Sequence, residues 1–331
     1  MSVLITGGAG YIGSHMVWEC IDHGEDVVVL DNLSTGFDWA VSSKAELIVG
    51  DIANSELVSR IIKNHNIDTV VHFAGSVVVP DSFRDPLFYY ENNTCRTRSL
   101  VETIINSGVD KFIFSSTAAV YAAPADLSPV DERSTIEPAS PYGWSKHMSE
   151  VMIRDAAIAS DLRYVMLRYF NVAGADPKGR VGLSTKNATH VVKLACETAT
   201  GKRPQFDVLG TDYDTPDGSA VRDFIHVSDL ANVHYVALQH LRDGGLKFTG
   251  NAGYSTGTSV LEVVEAVKRI SGFDFDVRMR PRRAGDVPAI VADSSRLQSR
   301  LNWQPKHANI DTIIEHALTW EKQLSKRLVG S

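Results

Sequence analysis

The feature that most constrains this chain is a run of three evenly spaced glycines, Gly7, Gly10 and Gly13, close to its start. They interrupt an apolar run that begins at residue 3, and apolar residues resume at position 17. This order predicts a strand, a tight turn and a helix. In such a turn the first glycine permits the bend, the second lets backbone approach a diphosphate, and the third lets the helix pack on the strand. The N–H groups at the helix N-terminus then favour phosphate.

A second apolar run covers residues 27–30 and ends at Asp31. An acid at the end of the second strand accepts hydrogen bonds from ribose hydroxyls, and its charge disfavours the 2′-phosphate of NADP. Glycines alone would also fit a turn in some other α/β domain. Because a strand ending in an acid follows them, the pattern predicts an NAD site.

Composition and charge exclude several functional classes. A chain of 331 residues suggests two lobes or one large domain. A formal net charge of −7 and the lack of a Lys/Arg block argue against a nucleic-acid partner. No apolar run approaches membrane-spanning length, and the early first strand leaves no room for a signal peptide. The three cysteines, at 20, 95 and 196, have no metal-ligand spacing and fit a reducing compartment. We therefore expect a cytoplasmic enzyme without a membrane partner or a metal.

Two later strand ends are expected to line the cofactor. Residues 46–51 predict a third strand, with Asp51 beside the adenine or, alternatively, capping a helix over residues 55–64. Residues 68–72 predict a buried parallel strand, and small residues follow it, which leaves room for a ligand. A long helix is predicted over residues 86–107, and its Asn92 would bind a cofactor hydroxyl or the neighbouring backbone.

Two further stretches indicate chemistry on an alcohol. An apolar strand at residues 111–114 ends in three hydroxyl residues at 115–117. A helix beginning at Tyr142 places Lys146 one turn later on the same face. The lysine ammonium favours the phenolate, so with help from burial and a cationic nicotinamide the tyrosine pKa of about 10 is expected to fall towards neutrality. Alone, the pair would be an ordinary pair on a helix surface, but the preceding motifs favour catalysis.

These motifs together resemble the extended short-chain dehydrogenase/reductase superfamily. The resemblance is carried by the glycine pattern of residues 6–13, the strand end at 115–117 and the pair Tyr142 and Lys146. Stretches at residues 11–15, 168–171 and 221–227 are similar to the UDP-glucose 4-epimerase family within it. The likeness runs from about residue 2 to about residue 320.

The resemblance implies an α/β fold, namely a Rossmann-type doubly wound parallel sheet with a smaller C-terminal α/β substrate lobe. The NAD-binding domain would comprise residues 1–171 with a returning segment at about 225–253, and the nucleotide-sugar lobe residues 172–224 and 254–331. A homodimer is implied, in which the helix at about 88–106 and the helix starting at Tyr142 pair across a twofold axis.

The resemblance also assigns roles to residues. Tyr142 would be the general base, Lys146 would bind the nicotinamide ribose and lower the tyrosine pKa, and Thr117 would bridge the sugar hydroxyl to Tyr142. Besides Tyr142 and Lys146, the residues expected around NAD are Gly7, Gly10, Tyr11, Ile12, Gly13, Asp31, Asn32, Asp51, Ile52, Phe73, Ala74, Gly75, Asn92, Ser115 and Tyr169. Besides Thr117 and Tyr142, those expected around a UDP-sugar are Phe170, Asn171, His190, Arg222, Arg283 and Asp286.

Two of the arginines have alternative interpretations. An arginine offers a planar fork to phosphate oxygens, so Arg222 is favoured as a diphosphate anchor, and the alternative is a salt bridge with Asp223 or Asp229. Arg283 belongs to a basic, proline-containing loop that would otherwise be a solvated surface.

The implied reaction interconverts UDP-glucose and UDP-galactose through oxidation at sugar C4, rotation of the 4-keto sugar and re-reduction. Alternatives are a 4-epimerase for UDP-N-acetylhexosamines or UDP-pentoses, a 4,6-dehydratase and a non-catalytic NAD sensor. Dehydratases of this superfamily carry an Asp-Glu pair where this chain has Ala118 and Ala119, and a sensor has no use for the three catalytic residues. Val77 stands where some epimerases of this family carry a lysine, which leaves one cofactor contact open. Ile290 aligns with a residue that borders the sugar, and a branched aliphatic side chain there leaves the preferred sugar open.

Overall fold

A seven-stranded parallel sheet forms the centre of the computed structural model, which describes residues 1–124, 127–185, 188–283 and 286–329, with side chains to residue 326. The strands are β1 Ser2–Thr6, β2 Asp26–Asp31, β3 Glu46–Val49, β4 Ile67–His72, β5 Lys111–Thr117, β6 Arg163–Tyr169, β7 Asn171–Ala173, β8 Phe206–Leu209, β9 Val221–His226, β10 Phe248–Ala252, β11 Gly257–Ser259, β12 Val277–Arg280 and β13 Ala289–Ile290. The order across the main sheet is β10-β6-β5-β4-β1-β2-β3. Every neighbouring pair in it is parallel.

Helices cover both faces of this sheet and form most of the second lobe. They are α1 Tyr11–Asp22, α2 Ser55–His65, α3 Val79–Arg84, α4 Pro86–Tyr89, α5 Arg96–Asn106, α6 Pro141–Ala156, α7 Val191–Ala199, α8 Val227–Arg242, α9 Val260–Ser271, α10 Ser295–Leu301 and α11 Ile310–Val329. A π-helical segment, Tyr90–Cys95, joins α4 to α5, and single 3₁₀ turns cover Asp38–Ala40 and Ala118–Val120.

Two hydrophobic cores lie on opposite faces of the main sheet. On one face α1 and α8 pack against the strands through residues such as Val17 and Val233. On the other face α2, α5 and α6 contribute Ile61, Leu100 and Ile153. The central strands are buried on both faces, which explains their continuous apolar runs. The predicted doubly wound α/β class is therefore confirmed.

The second lobe is built on smaller sheets. Strands β7, β9, β11 and β13 form one sheet, and β8 pairs with β12. Helices α7, α9 and α11 enclose a separate core against them. Between these elements the chain returns to the main sheet, where β10 adds to the edge beside β6. The domain limits given above stay a prediction, with α8 and β10 inside the proposed returning segment.

Local structure departs from expectation at one helix interior and two helix ends. The long helix predicted over residues 86–107 is interrupted by the π-helical segment, in which the Asn93 side chain bonds to Ser76 and Ser145. Residues 224–230 predict a helix with Ser228 as its cap, because serine is a preferred N-cap residue. In the structure α8 is capped instead by the ring of His226, which accepts from the Ser228 backbone. Helix α2 is capped by Asn54, so the alternative role of Asp51 as its cap is wrong.

Within the described ranges, no helix is both long and apolar enough to cross a lipid bilayer. The longest one, α11, contains polar and charged residues along its whole length. Its buried side packs on the second lobe instead, through residues such as Ile314 and Leu318.

The buried cap of α8 predicts a pH-dependent stability. Burial lowers the pKa of His226 to about 2, with His307 and His316 opposing its charge as well. The folded chain therefore keeps His226 neutral, while the unfolded chain binds a proton below about pH 6.5. This contribution is present above that pH and is lost as the pH falls. Well below pH 6.5, this residue lowers the free energy of unfolding by about 1 kcal/mol for each pH unit.

Denaturant unfolding between pH 7 and pH 5 checks this expectation. His226→Asn keeps a capping side chain but does not titrate, so its unfolding free energy should fall less steeply with acid than that of the wild type. His23→Asn, at an exposed helix end, is the control and should keep the wild-type slope. Equal slopes in all three proteins would contradict the role given to His226.

Candidate active site

A cavity of about 1030 Å³ runs along the carboxyl edge of the main sheet and continues between the two lobes. Ligands of open parallel sheets bind at this edge. One half of the cavity is lined by the glycine loop and the ends of β2, β4, β5 and β6. The other half is lined by the start of α7, by β8 and β9, and by the loop before β13. Its volume is at the upper end of the usual range for ligand pockets, which suits two adjoining ligands.

The glycine loop leaves an uncovered backbone surface in the first half. Gly7 has a φ of +71°, and a Cβ there would lie 2.6 Å from the Ala74 nitrogen. A Cβ on Gly13 would lie 2.1 Å from the Gly7 oxygen, so this glycine sets the close approach of α1 to β1. A Cβ on Gly10 would lie 3.3 Å from the Gly7 oxygen, a tight contact that a shift of a few tenths of an ångström relieves. As the N-cap of α1, Gly10 offers no side chain to the first-turn N–H groups, and the helix terminus faces the cavity.

Asp31 is the last residue of β2 and lies against the glycine loop. Its Oδ2 accepts from the Ala9 nitrogen at 2.9 Å and its Oδ1 from the Leu33 nitrogen at 2.8 Å. A carboxylate has about four acceptor positions, so these two bonds orient Asp31 and leave capacity for hydroxyl donors. Asn32 lines the cavity beside it, and its side chain accepts from the Ser34 nitrogen.

Asp51 and Ile52, which are predicted to lie around NAD, line the cavity near the end of β3. Asp51 forms an ion pair with Arg96 and accepts from the Ala53 nitrogen at 2.9 Å. Arg96 also lines the cavity, although sequence reasoning did not select it. A single arginine at the start of α5 carries no local signal, because its partner lies 45 residues earlier.

Phe73, Ala74 and Gly75 follow β4 and line the same half of the cavity. The side chain of Asn92 donates to the Ser76 hydroxyl at 2.9 Å rather than to the neighbouring backbone, and its bond to a cofactor hydroxyl stays a prediction. Asn92 lines the cavity as well. The π-helical segment explains why two successive asparagine side chains, at 92 and 93, both reach Ser76.

The three hydroxyls at the end of β5 do not share one role. Ser115 donates to the Tyr169 hydroxyl at 2.8 Å, and Thr117 lines the cavity. Ser116 faces the other side of the sheet and donates to Glu150 at 2.6 Å. Successive residues of a strand point to opposite faces, so the interpretation of all three hydroxyls as part of the site is wrong for Ser116.

Tyr142 and Lys146 lie on α6, and Tyr142 lines the cavity together with Thr117 of β5. Burial raises the pKa of Tyr142, and the Thr117 hydroxyl opposes this. Burial also lowers the pKa of Lys146 to about 7, while the charge of Glu150 acts to raise it. The expectation that burial helps Tyr142 to ionise is therefore wrong, since a low dielectric disfavours the charged form.

Two of the predicted site residues stand slightly outside the cavity lining. The Lys146 ammonium lies 4.2 Å from the centre of the Phe114 ring, beneath the cavity floor. Ser115 is covered by Tyr169, which does line the cavity. The predicted contacts of both residues with the cofactor stay a prediction. All the other predicted cofactor and substrate residues line the cavity.

A charged cluster lies in the second half of the cavity. Arg222 forms an ion pair with Asp286, and Arg283 lies 3.7 Å from the same carboxylate. The two alternative partners of Arg222 are wrong. Asp223 accepts instead from the backbone of Tyr254 and residues nearby, and Asp229 from the Tyr254 hydroxyl.

His190 stands at the start of α7, between this cluster and Tyr11 of the glycine loop. Its Nδ1 is buried and has no hydrogen-bond partner among the described residues. Burial lowers its pKa, so its ring is neutral and can accept or donate one bond. Phe170 and Asn171 line the cavity just after β6.

Several lining residues in the second half were missed from the sequence. They are Leu183, Leu194, Phe206, Asp207, Leu209, Ala220 and Val260. They come from five separate parts of the chain, and most are apolar residues that also fit an ordinary core. No local pattern distinguishes them, so only the folded structure brings them to one wall.

Comparison with known proteins gives this geometry a context. The model of the NAD dependent epimerase/dehydratase family matches residues 3–253. A UDP-glucose 4-epimerase of Azospirillum brasilense is 49% identical over 324 residues, which cover 98% of this chain and 93% of that protein. The chain belongs to the UDP-glucose 4-epimerase family. The name of the wider family includes NAD, so the predicted family, enzyme class and cofactor are confirmed.

Two solved structures of this epimerase family show how closely the fold is shared. A UDP-glucose 4-epimerase from Brucella ovis in complex with NAD has a TM-score of 0.93 and 40% identity, covering 96% of this chain and 97% of that one. A UDP-Glc/GlcNAc 4-epimerase from Campylobacter jejuni has a TM-score of 0.84 and 43% identity, covering 97% of this chain and 99% of that one.

The first half of the cavity fits the cofactor of this epimerase family on structural grounds. The uncovered loop at Gly10 suits a diphosphate, and the oriented Asp31 carboxylate suits ribose hydroxyls. Among the described residues, no group of three or more His, Cys, Asp or Glu side chains could hold a metal ion.

The two glycines predict different effects of an added methyl group. Gly13→Ala should lower the melting temperature and the NAD content together, because the new Cβ must displace the Gly7 backbone. Gly10 has an extended backbone that alanine tolerates, so NAD-free Gly10→Ala should melt close to the temperature of the NAD-free wild type. It should nevertheless retain at least tenfold less NAD, because the methyl group stands on the predicted diphosphate surface. Differential scanning fluorimetry and the nucleotide released on denaturation measure both effects. A Gly13→Ala protein as stable as the wild type would contradict this assignment.

Proposed function

We propose that this chain interconverts UDP-glucose and UDP-galactose by transient oxidation at sugar C4 with bound NAD. The observation that carries the proposal is that Thr117 and Tyr142 line the cavity together where its cofactor half meets its nucleotide half, with Thr117 acting to lower the pKa of Tyr142. A hydroxyl chain at this junction can remove and return an alcohol proton. The relatives named for UDP-glucose support the same substrate class.

The proton is handled by residues of α6 and β5. Tyr142 as phenolate takes the C4 hydroxyl proton, and Thr117 holds the hydroxyl in line with it. Bound NAD would supply the hydride acceptor for oxidation at C4 and the hydride donor for re-reduction. Because burial raises the pKa of Tyr142, the phenolate needs a nearby cation, and we assign this role to the Lys146 ammonium. Lowering the pKa by three units takes about 4 kcal/mol of differential interaction.

The nucleotide is held at the charged cluster of the second lobe. Arg222 and Arg283 present two guanidinium groups to the diphosphate, and Asp286 between them accepts from the uridine ribose. His190 and Asn171 complete the polar wall on the sheet side. These charge-assisted hydrogen bonds would bind the nucleotide tightly.

The sugar, by contrast, meets a mostly apolar wall. Ala118, Ala119, Phe170 and Ile290 line this part of the cavity and offer no side-chain hydrogen bonds. A loosely held 4-keto sugar can rotate about its bond to the diphosphate and present its other face. The alanines also lack the ionisable groups that 4,6-dehydration needs, so this wall favours epimerisation over dehydration.

A second candidate substrate is a UDP-N-acetylhexosamine. Four alanines, at 118, 119, 122 and 123, line the cavity and leave space beside the sugar. The Campylobacter jejuni relative is named for both UDP-Glc and UDP-GlcNAc. The size of the sugar wall, rather than its chemistry, therefore decides between the two sugars.

Product analysis on a panel of nucleotide sugars tests the function. Purified protein should convert UDP-galactose to UDP-glucose without added oxidant, because NAD is regenerated in each turnover. UDP-N-acetylglucosamine and UDP-xylose in parallel rank the alternative sugars. Bound NAD without turnover of any sugar would favour a sensor, and a 4-keto-6-deoxy product would favour a dehydratase.

The role of Tyr142 predicts a specific defect in Tyr142→Phe. Loss of the phenol oxygen should lower kcat by at least 100-fold, within the usual contribution of general acid–base catalysis. The NAD content and the KM for UDP-galactose should change by less than about threefold, since neither needs the hydroxyl. Steady-state kinetics and released nucleotide measure these quantities. Tyr235→Phe, on α8 outside the cavity lining, is the matched control and should keep wild-type activity. A fully active Tyr142→Phe protein would refute the assignment.

We further propose that the chain acts as a homodimer through α6 and the helical region beside it. Trp144, Met148 and Val151 follow one another at helical spacing and are 38%, 44% and 38% exposed. Leu87 and Phe88 of α4 add 77% and 49% exposed apolar side chains. An exposed apolar stripe on a helix favours a self-complementary interface.

Light scattering should give about twice the chain mass of 36.2 kDa for the wild type. Met148→Glu places a charge in the middle of the stripe and should yield the monomer at micromolar concentration. Leu246→Glu, at an apolar residue 71% exposed between α8 and β10, is the control and should stay dimeric. A wild-type monomer would overturn the proposal.

We place the protein in the cytoplasm. All three cysteines are free thiols, two of them buried, which suits a reducing compartment. Cell fractionation with antibody detection decides the location.

A further inference from the structure

One ion pair is enclosed between the catalytic helix α6 and the main sheet. The side chains of Glu150 and Arg168 are 0% and 3% exposed. Arg168 donates from Nε to Oε1 at 2.8 Å and from Nη2 to Oε2 at 2.6 Å, a two-bond fork of defined geometry. Burial opposes the ionisation of Glu150, but the bonds from Arg168 outweigh it and lower its pKa to about 2. The pair is therefore charged at all working pH values.

Each partner in this pair adjoins a residue of the proposed site. Glu150 lies one helical turn after Lys146 on α6. Arg168 directly precedes Tyr169 on β6, and Ser116, which donates to Glu150, directly precedes Thr117 on β5. A single carboxylate thus connects the helix that carries the base to the two strands that end at the cavity.

The network also reaches the cavity wall. Nη1 of Arg168 donates to the Tyr121 hydroxyl at 3.0 Å, and this hydroxyl donates to Asn251 of β10 at 2.6 Å. The guanidinium lies 5.0 Å from the centre of the Tyr121 ring. Because Tyr121 lines the cavity, the position of Arg168 bears on the wall as well as on the catalytic helix.

Stability alone does not explain a charged pair in this place. The surrounding core is apolar, with Phe114, Ile153 and Met166 fully buried. Replacing an enclosed ion pair with packed apolar side chains is often neutral or stabilising. The hydrogen bonds of the pair are directional, so they fix the orientation of α6 relative to β5 and β6.

The Glu150 carboxylate of the pair also acts on the charge of Lys146. Burial lowers the pKa of Lys146 to about 7, and the Glu150 carboxylate on the same helix face raises it. From β4, His72 also faces Lys146, but burial lowers the His72 pKa to about 3 and keeps it neutral. The remaining titratable neighbours on α6 are Tyr142 and His147, whose Nδ1 lies 3.8 Å from Glu150.

We propose that Glu150, held by Arg168 and Ser116, is a positioning residue that keeps Tyr142 within reach of Thr117 and keeps the Lys146 side chain protonated. This inference rests on the proposed function for its kinetic consequence. Its effect on the ionisation of Tyr142 does not depend on any substrate.

Glu150→Gln tests the inference with little change of shape. The amide retains an acceptor for Arg168 but removes the negative charge. We expect kcat for UDP-galactose to fall at least tenfold with the KM changed by less than threefold. The loss of activity at high pH should move at least 0.5 unit lower, because Lys146 then loses its proton earlier. Asp311→Asn breaks the exposed pair Arg269 and Asp311 and is the control, which should keep the wild-type profile.

A second measurement needs no turnover. The ultraviolet absorbance of tyrosinate, taken as the difference from Tyr142→Phe in the same background, reports the ionisation of Tyr142. In Glu150→Gln its midpoint should rise by at least 0.5 unit. If the wild type converts no sugar, the proposed function fails, while this titration still decides the role of Glu150.

Two further variants keep the inference testable if Glu150→Gln does not fold. Glu150→Gln leaves Arg168 buried and unpaired, which is destabilising. Glu150→Gln combined with Arg168→Met removes both charges and should unfold near the wild-type temperature while keeping the low kcat. Ser116→Ala removes one hydroxyl only and should lower kcat three- to tenfold. Wild-type kinetics, pH profile and tyrosinate midpoint in a folded variant lacking the Glu150 charge would overturn the inference.

Discussion

The parallel pairing of the main sheet is the constraint on which the site depends. Strand β1 lies between β2 and β4, so its glycine turn meets Asp31 on one side and Phe73 on the other. Strands β5 and β6 follow in the same direction and bring Thr117 opposite Tyr169. Because all carboxyl ends share one edge, residues more than 160 positions apart line one cavity. A shift of register by one residue would turn each of these side chains to the other face.

The two faces of β5 have different roles, one lining the cavity and the other contacting the ion pair. Thr117 points into the cavity, while Ser116 points to the ion pair beneath α6. Along α6, Tyr142 lines the cavity, whereas Lys146 and Glu150 follow at one-turn intervals and are buried. Burial works against the charge of both Tyr142 and Lys146. Their ionisation is therefore set by the few charged groups that the fold places next to them.

Local motifs made the fold class and most of the site predictable. Glycines at 7, 10 and 13, the acid at 31 and the pair at 142 and 146 each require a particular backbone or spacing, so they are visible in sequence. The ion pair between Arg222 and Asp286, and the contact of Asp51 with Arg96, were not predictable. Each joins residues from separate elements, and a charged residue carries no sign of its distant partner. The cap of α8 was missed because a histidine seldom takes that role, and here its ring is held by other histidines.

The sequence by itself determined where the chain turns, which segments form strands and helices, and which residue types are available for chemistry at their ends. These properties follow from backbone sterics, side-chain size and the spacing of apolar residues, all of which act over a few positions. Only the tertiary structure decided which face each hydroxyl takes, which acid each arginine meets and how far burial shifts each pKa. Those outcomes depend on how much water and which charges surround a group, and that is set by elements far away in the chain.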